Sequence, residues 1–325
     1  EMFYIRVDII KGMNENLFEL FGEVFVTDFS ITGDDYKKII DLGEYGQFET
    51  YSLFPGIVLA FIDINLQNHE NVYVEEKLSS RLLMINHCLD GRYAYSVGDD
   101  EIIYFGKGDL CINIYDMTKI CSDFPLGFYN GLEIFIDVDM ANDYVKHYIP
   151  DFDLIEFYEL LKKSHGYVLL RSNNKIDHVI GELYHVDNRI KLSYFKLKCL
   201  ELLLFFSITN FDVHENISLT KQQVKIVDDV KNELINDLES KITIDELADN
   251  YGISKTTLKN CFKKVHGKPI FKWRKEYKLE YACKLIEGGS YTISEISKMV
   301  GYSSPSKFTQ AFKEYIGCTP SEYKK

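Results

Sequence analysis

Lys255, Thr256, Lys259, Asn260 and Lys263 follow one another at steps that would align them along one side of a helix. A second set, Ser306, Lys307, Gln310 and Lys313, repeats this arrangement about fifty residues later. Hydroxyl, amide and ammonium groups held this way hydrogen-bond base edges and phosphate oxygens in a major groove. Thr256, Lys259, Asn260, Ser306, Lys307 and Gln310 are the types expected at bases, and Lys255, Lys263, Lys264, Lys268 and Lys313 those expected at phosphates.

The elements needed to hold these sets are written twice. Thr243-Ile244-Asp245-Glu246-Leu247-Ala248, with Gly252, Ser254, Leu258, Phe262-Lys263 and Gly267, returns as Thr292-Ile293-Ser294-Glu295-Ile296-Ser297, with Gly301, Ser304, Phe308, Phe312-Lys313 and Gly317. The offset is 49 residues up to the first glycine and 50 beyond it, so the turn has gained one residue. Each copy predicts a short helix, a glycine turn and a second helix, the pattern of a helix-turn-helix. Thr-x-x-Glu caps the first helix, Ser254 and Ser304 start the second, and Pro305 suits a first helical position. Gly252 and Gly301 are expected where a Cβ would obstruct the turn. Leu247, Ile296, Leu258, Phe308, Phe262 and Phe312 supply the apolar wedge between the helices. Ile270–Ile286 reads as one connecting helix, with Trp273, Tyr277 and Ala282 towards the units it joins. A rigid connector would bring both second helices to successive major-groove turns, about 34 Å apart.

Charge separates the two ends. Residues 219–325 hold 19 Lys/Arg against 14 Asp/Glu, while the rest hold 18 against 36, within a net charge of −13. Lys255 to Lys278 contains nine basic residues and one acid, Glu276. A positive face on an acidic molecule points to a polyanion at one end only. A hydrophobic content of 46% argues against disorder, and 325 residues allow two cored domains. No apolar run reaches membrane-span length, and no basic stretch followed by an apolar one opens the chain, so a cytoplasmic protein without a membrane partner is expected. Seven scattered cysteines without a CxxC are those of reduced thiols, with a redox sensor around Cys88, Cys111 and Cys121 as the alternative.

Upstream, strands separated by turns are expected to about residue 150, with turns at Pro55-Gly56, Gly98-Asp99-Asp100 and Gly106-Lys107-Gly108-Asp109, and with Asp90-Gly91 closing the run from Arg81. Short strands at this spacing suggest an antiparallel sandwich or small barrel. Leu154–Lys163, Asn173–Tyr184 and Ile190–Ile208 follow as helices. In the last, Ile190, Tyr194, Leu197, Leu200 and Leu204 form a stripe that either packs on its own domain or dimerises. Asn210–Leu219 reads as a linker, and Thr220 with Gln223 as the cap of the next helix. Tyr51, Phe61, Asn86, Tyr93, Tyr95 and Tyr115 are candidates to line an effector cavity, with core packing as the alternative. The acidity of this half favours a neutral or cationic effector. His69, His87 and His147 lie far apart without His-x-His, so no metal, cofactor or catalytic residue is expected. There is also no phosphate loop or nucleophile elbow.

At Gly301-Tyr302, Phe308, Ala311-Phe312-Lys313, Gly317-Cys318-Thr319-Pro320 and Tyr323, the chain resembles the AraC/XylS family of transcription regulators. The resemblance covers about 220–325. It implies a seven-helix fold carrying two helix-turn-helix units that bind promoter DNA, mostly in activation. Two departures are Lys278, where the connector often has arginine and a bidentate contact would be weakened, and Lys324, where a final arginine is frequent. Gly108-Asp109-Leu110 and Phe124-Pro125-Leu126-Gly127-Phe128-Tyr129-Asn130-Gly131 resemble the family's cupin-type effector domain, most of all in the branch that includes siderophore-responsive regulators. The resemblance implies a sandwich that binds a small molecule, followed by helices that dimerise.

The expected protein is therefore α+β and multidomain. Residues 1–150 form a cupin-like effector-sensing sandwich, 151–215 a helical linker and dimerisation segment, and 219–325 an all-α DNA-binding domain. Its expected partners are double-stranded promoter DNA, a small-molecule effector and a second copy of the chain, with RNA polymerase as a further candidate. Two alternatives stand beside this reading. One is a ligand-independent regulator whose sandwich only dimerises or binds a protein, and the other is a cupin enzyme with a DNA-binding tail.

Overall fold

Alternation of side chains along the N-terminal strands gives them two apolar faces, and each face has its own core. The computed structural model describes residues 36–65, 72–74, 81–97, 100–114, 120–164, 166–171, 174–209 and 218–324. The chain divides into two compact units, meeting between Ser218 and Leu219.

In the first unit, strands β1 (Lys37–Asp41), β2 (Gly46–Phe54) and β3 (Ile57–Asn65) form an antiparallel meander. The Pro55-Gly56 turn joins β2 to β3, with Gly56 at φ 77°. Further along are β4 (Val72–Val74), β5 (Leu82–Val97), β6 (Glu101–Gly106), β7 (Leu110–Ile114), β8 (Ile120–Asp123), β9 (Phe128–Asp137) and β10 (Tyr167–Leu170). The strand β9 lies between β3 and the first half of β5, whose other edge carries β7 and then β10. The second half of β5 leaves this sheet to pair with β6 and β8, and β8 pairs with β4. All of these pairings are antiparallel.

Asp90-Gly91, expected to close a strand, instead bends one. The register of β5 against β9 shifts between Cys88 and Asp90, and Gly91 sits at φ 90°, where a Cβ would lie 2.4 Å from the Phe128 carbonyl oxygen. The dipeptide is a bulge that turns one strand into a shared member of two sheets.

Between the sheets lies an interior core of Phe48, Ile62, Met84, Tyr93, Tyr95, Phe105, Phe124 and Tyr129, among others. The outer face of the first sheet presents Tyr51, Leu59, Leu83, Ile85, Leu132 and Ile134. Helices α1 (Val138–Tyr148), α2 (Leu154–Lys163), α3 (Asn174–Gly181) and α4 (Lys191–Ser207) pack there through Val145, Phe157, Ile180, Phe195 and Leu202. The helix expected over 173–184 ends at Gly181 and tightens to a 3-10 turn at Glu182–Tyr184.

The second unit is helical, with seven helices among its described residues: α5 (Lys221–Asn236), α6 (Ile244–Asn250), α7 (Lys255–His266), α8 (Ile270–Glu287), α9 (Ile293–Met299), α10 (Pro305–Ile316) and α11 (Pro320–Tyr323). Thr220 and Gln223 form the capping box of α5. An antiparallel β-region followed by an all-helical region is the fold class anticipated from the sequence.

Candidate nucleic-acid interface

The two short first helices start in the same way. Thr243 Oγ1 accepts from the Glu246 amide at 3.2 Å while Glu246 Oε2 accepts from the Thr243 amide at 2.7 Å. In the second copy the same pair of bonds, Thr292 with Glu295, measures 3.2 and 2.8 Å. Both glutamates are held below the usual carboxylate range, first by these backbone N–H bonds. A further box, Thr319 with Glu322, starts α11.

The turns into the second helices also match. Gly252 and Gly301 have φ of 64° and 73°. Ser254 accepts from the Thr257 amide to begin α7, and Ser304 from the Lys307 amide to begin α10, with Pro305 in its first turn. Both helices end on left-handed glycines, Gly267 and Gly317, whose amides donate to the Lys263 and Lys313 carbonyls. One expectation changes: a Cβ at Gly252 would meet open space, so only the positive φ requires glycine there, whereas at Gly301 a Cβ would lie 2.2 Å from the Leu238 carbonyl oxygen.

With the ends fixed, packing fixes the faces. Leu247, Leu258, Phe262, Ile296, Phe308 and Phe312 are all 0% exposed. Their burial leaves Thr256, Lys259 and Asn260 exposed on α7, and Ser306, Lys307 and Gln310 on α10. Among the phosphate candidates, Lys255, Lys263 and Lys313 are exposed, and Lys264 and Lys268 are half-buried. Some are engaged within the unit: Lys255 pairs with Asp245 at 2.7 Å, Lys268 with Glu276 at 2.5 Å, and Gln310 donates to Glu314 at 3.0 Å. The exposed contacts of Lys255 and Gln310 contribute little and yield readily to a nucleic-acid partner, whereas Lys268 is half-buried and its partner Glu276 is 14% exposed.

The connector α8 spans 18 residues, about 27 Å at 1.5 Å per residue. It buries Leu279, Ala282 and Ile286 against Ile296, Val300, Phe308 and Phe312 of the second copy. At its other end Trp273 stands 5.6 Å from Phe262 and stacks on Tyr277 at 5.4 Å. Arg274, which pattern reading passed over, is buried and donates to the carbonyls of Asp237 and Ser240, both at 2.9 Å. It ties the chain before α6 to the connector. Lys278 is half-buried, and burial together with the neighbouring Arg274 pushes its ammonium down to about 8. Lys272 and Lys275 are exposed on α8 and add to the positive surface; the basic run to Lys278 was the signal for them.

A family model described as a helix-turn-helix domain matches residues 247–325. The virulence regulon transcriptional activator VirF of Yersinia enterocolitica is 35% identical over 79 residues, which are 24% of this chain and 29% of that protein. A Streptomyces lividans protein described as an AraC-like transcription regulator is 32% identical over 83 residues, 26% of this chain and 27% of that one. The C-terminal unit is a helix-turn-helix domain of the AraC type. The matches to these two relatives span less than a third of the relatives' own lengths. The Msm operon regulatory protein of Streptococcus mutans is 23% identical over 271 residues, 78% of this chain and 97% of that protein.

Beyond the AraC-type unit, the six candidate effector residues do not form one group. Tyr51 and Phe61 lie on the outer sheet face, their rings 4.9 and 5.4 Å from Phe195 of α4. Asn86, Tyr93 and Tyr95 belong to the interior, which aromatic rings fill: Tyr93 is 5.2 Å from Phe105 and 5.4 Å from both Phe124 and Tyr129. Tyr115 and His69 lie outside the described residues, as do residues 210–217 of the linker expected over Asn210–Leu219, whose last residue instead begins a two-residue strand with Thr220. Of the stripe on α4, Ile190, Leu197 and Leu204 are exposed, Leu197 at 66%, and Ile208 extends it at 80%. Tyr194 and Leu200 are half-buried. Among the described residues no helix is long and apolar enough to cross a membrane.

Proposed function

We propose that the chain is a sequence-specific DNA-binding transcription regulator, an activator, controlled by a small molecule bound in its N-terminal unit. The observation that carries the reading is the pairing of α7 and α10, two capped helices in matching settings, each exposing base-reading side chain types beside lysines. Likeness to an operon regulatory protein over nearly that protein's full length supports regulation by the whole chain. Effector binding would shift the population of a DNA-competent arrangement, and contact with RNA polymerase would complete activation. The domain limits 1–150, 151–215 and 219–325 belong to the same reading.

Retardation of fragments from the chain's own upstream region, at low and then rising salt, tests it. Lys259→Ala and Gln310→Ala should each cost about 1–3 kcal/mol and relax preference at one base pair. Lys263→Ala should weaken all sequences alike and reduce the salt slope by about one unit. No retarded fragment with the wild-type chain would overturn the reading.

Dimerisation through the α4 stripe is the second part. Leu197, Leu204 and Ile208 expose apolar area that pairing with a second copy would remove from water. Leu197→Glu with Leu204→Glu should convert a dimer to a monomer in sedimentation while leaving the melting of the dilute chain unchanged. A wild-type monomer at high concentration would exclude this interface.

A further inference from the structure

Among the described residues aromatic side chains pack the space between the sheets, and the outer sheet face offers another place for an effector. A cleft of about 220 Å³ opens where the roof formed by α4 ends. Phe61, Tyr184 and Phe195 form its apolar side, with Phe61 5.8 Å from Tyr184. A cavity of about 150 Å³ already accepts benzene, so a six-membered ring with a short chain fits this volume.

Strand register sets the rim. Gln47 pairs with Asp63 and Asp63 with Asn130, which places a polar row across three adjacent strands. One step further, Glu49 pairs with Phe61. All of these residues line the cleft, as does Lys191 from the first turn of α4. Two carboxylates therefore face one ammonium, but they are not equivalent. Glu49 is held by Lys37 at 2.5 Å and lies 3.8 Å from Lys191, and it also accepts from the Tyr51 hydroxyl. Asp63 is exposed, and no ion pair joins it to a described residue. With Glu49 taken up by Lys37 and Lys191, Asp63 is the carboxylate left for a ligand, and it stands beside aromatic rings, which attract cations in their own right.

We infer that this cleft binds a small arylalkylammonium, its ring against Phe61 and Tyr184 and its ammonium on Asp63. The inference rests on the reading of the N-terminal unit as the effector sensor, and it adds the site and the chemical class. Lys191 disfavours a cation, so it sets an upper limit on affinity, and its loss tightens binding.

Saturation-transfer NMR titration of the full chain with phenethylammonium chloride tests this, with phenylacetate as the anion of like shape. For a ligand this small the expected Kd is on the order of 1 mM. Phenylacetate should bind at least tenfold more weakly. Asp63→Asn should weaken phenethylammonium about tenfold or more, whereas Lys191→Met should leave it as tight or tighter. A purely structural effect would move both variants the same way. Overturning results are no saturation transfer to the cation, equal binding of the anion, or undiminished binding in Asp63→Asn. DNA retardation by the wild-type chain without probe is scored separately. Its absence would fail the regulator reading and leave the cleft assignment standing.

Discussion

Gly301→Ala is expected to destabilise the C-terminal unit by roughly 3–4 kcal/mol, whereas Gly252→Ala, at the equivalent turn, should cost only about 1–2 kcal/mol. Both glycines have a positive φ, and that shared part of the cost is the left-handed conformation of an L-residue. The difference is what surrounds them. A Cβ at Gly301 would lie 2.2 Å from the Leu238 carbonyl oxygen and 3.0 Å from Glu239 Cα, so backbone must move. At Gly252 nothing lies within 4 Å. Trp273 is the chain's single tryptophan and belongs to this unit, so its fluorescence in a urea titration of the full protein reports the transition directly. Equal losses in the two variants would mean that Leu238 does not pack under the second turn, and that the pseudo-symmetry of the copies extends to the surroundings of both glycines.

The two glycines also show where sequence reading reaches and where it stops. Thr243 with Glu246, Thr292 with Glu295, Ser254 and Ser304 were legible because a cap closes within four residues and needs no partner from elsewhere. The burial of Leu258, Phe262, Phe308 and Phe312 was legible because a helical period fixes the inward side once a repeat sets the frame. The space beside Gly301 was not, because Leu238 reaches it only through tertiary packing. The same holds for Arg274, whose partners Asp237 and Ser240 lie more than thirty residues away in sequence.

In the N-terminal unit, period-two patterning separated faces but not their destinations. Tyr51 and Phe61 proved to be under a helix, while Tyr93 and Tyr95 are inside the sandwich, although all four look alike in sequence. The deciding event is the bulge at Asp90-Gly91. A strand of sixteen residues contributes to both sheets by bending, and an Asp-Gly pair gives the same local signal for a bulge as for a turn. The strand β10 was missed because four residues between helices leave too little alternation to read.

That interior holds one group whose protonation should dominate the pH response of the unit. Glu133 is 4% exposed, and burial pushes its carboxyl up to about 8. Its polar contacts run in series: the Tyr129 hydroxyl donates to Asn86 Oδ1 at 2.6 Å, and Asn86 Nδ2 donates to Glu133 Oε1 at 2.7 Å. In the unfolded chain this carboxyl ionises near its ordinary value of 4.5. Between there and about 8 the folded state keeps a proton that the unfolded state has lost, so stability falls as pH rises, by up to about 1.4 kcal/mol per unit, and levels off above 8. Glu133→Gln keeps the shape and the acceptor for Asn86 but cannot ionise. It should match the wild type at pH 5 to within about 1 kcal/mol and exceed it by roughly 2–4 kcal/mol at pH 8, the unpaired amide hydrogens taking back part of the gain. Urea unfolding of the N-terminal unit, followed by tyrosine circular dichroism at half-unit pH steps, measures both slopes. Parallel curves for the two proteins would show that Glu133 ionises in the folded state as readily as in water, and the sealed polar series with Asn86 and Tyr129 would have to be open to solvent.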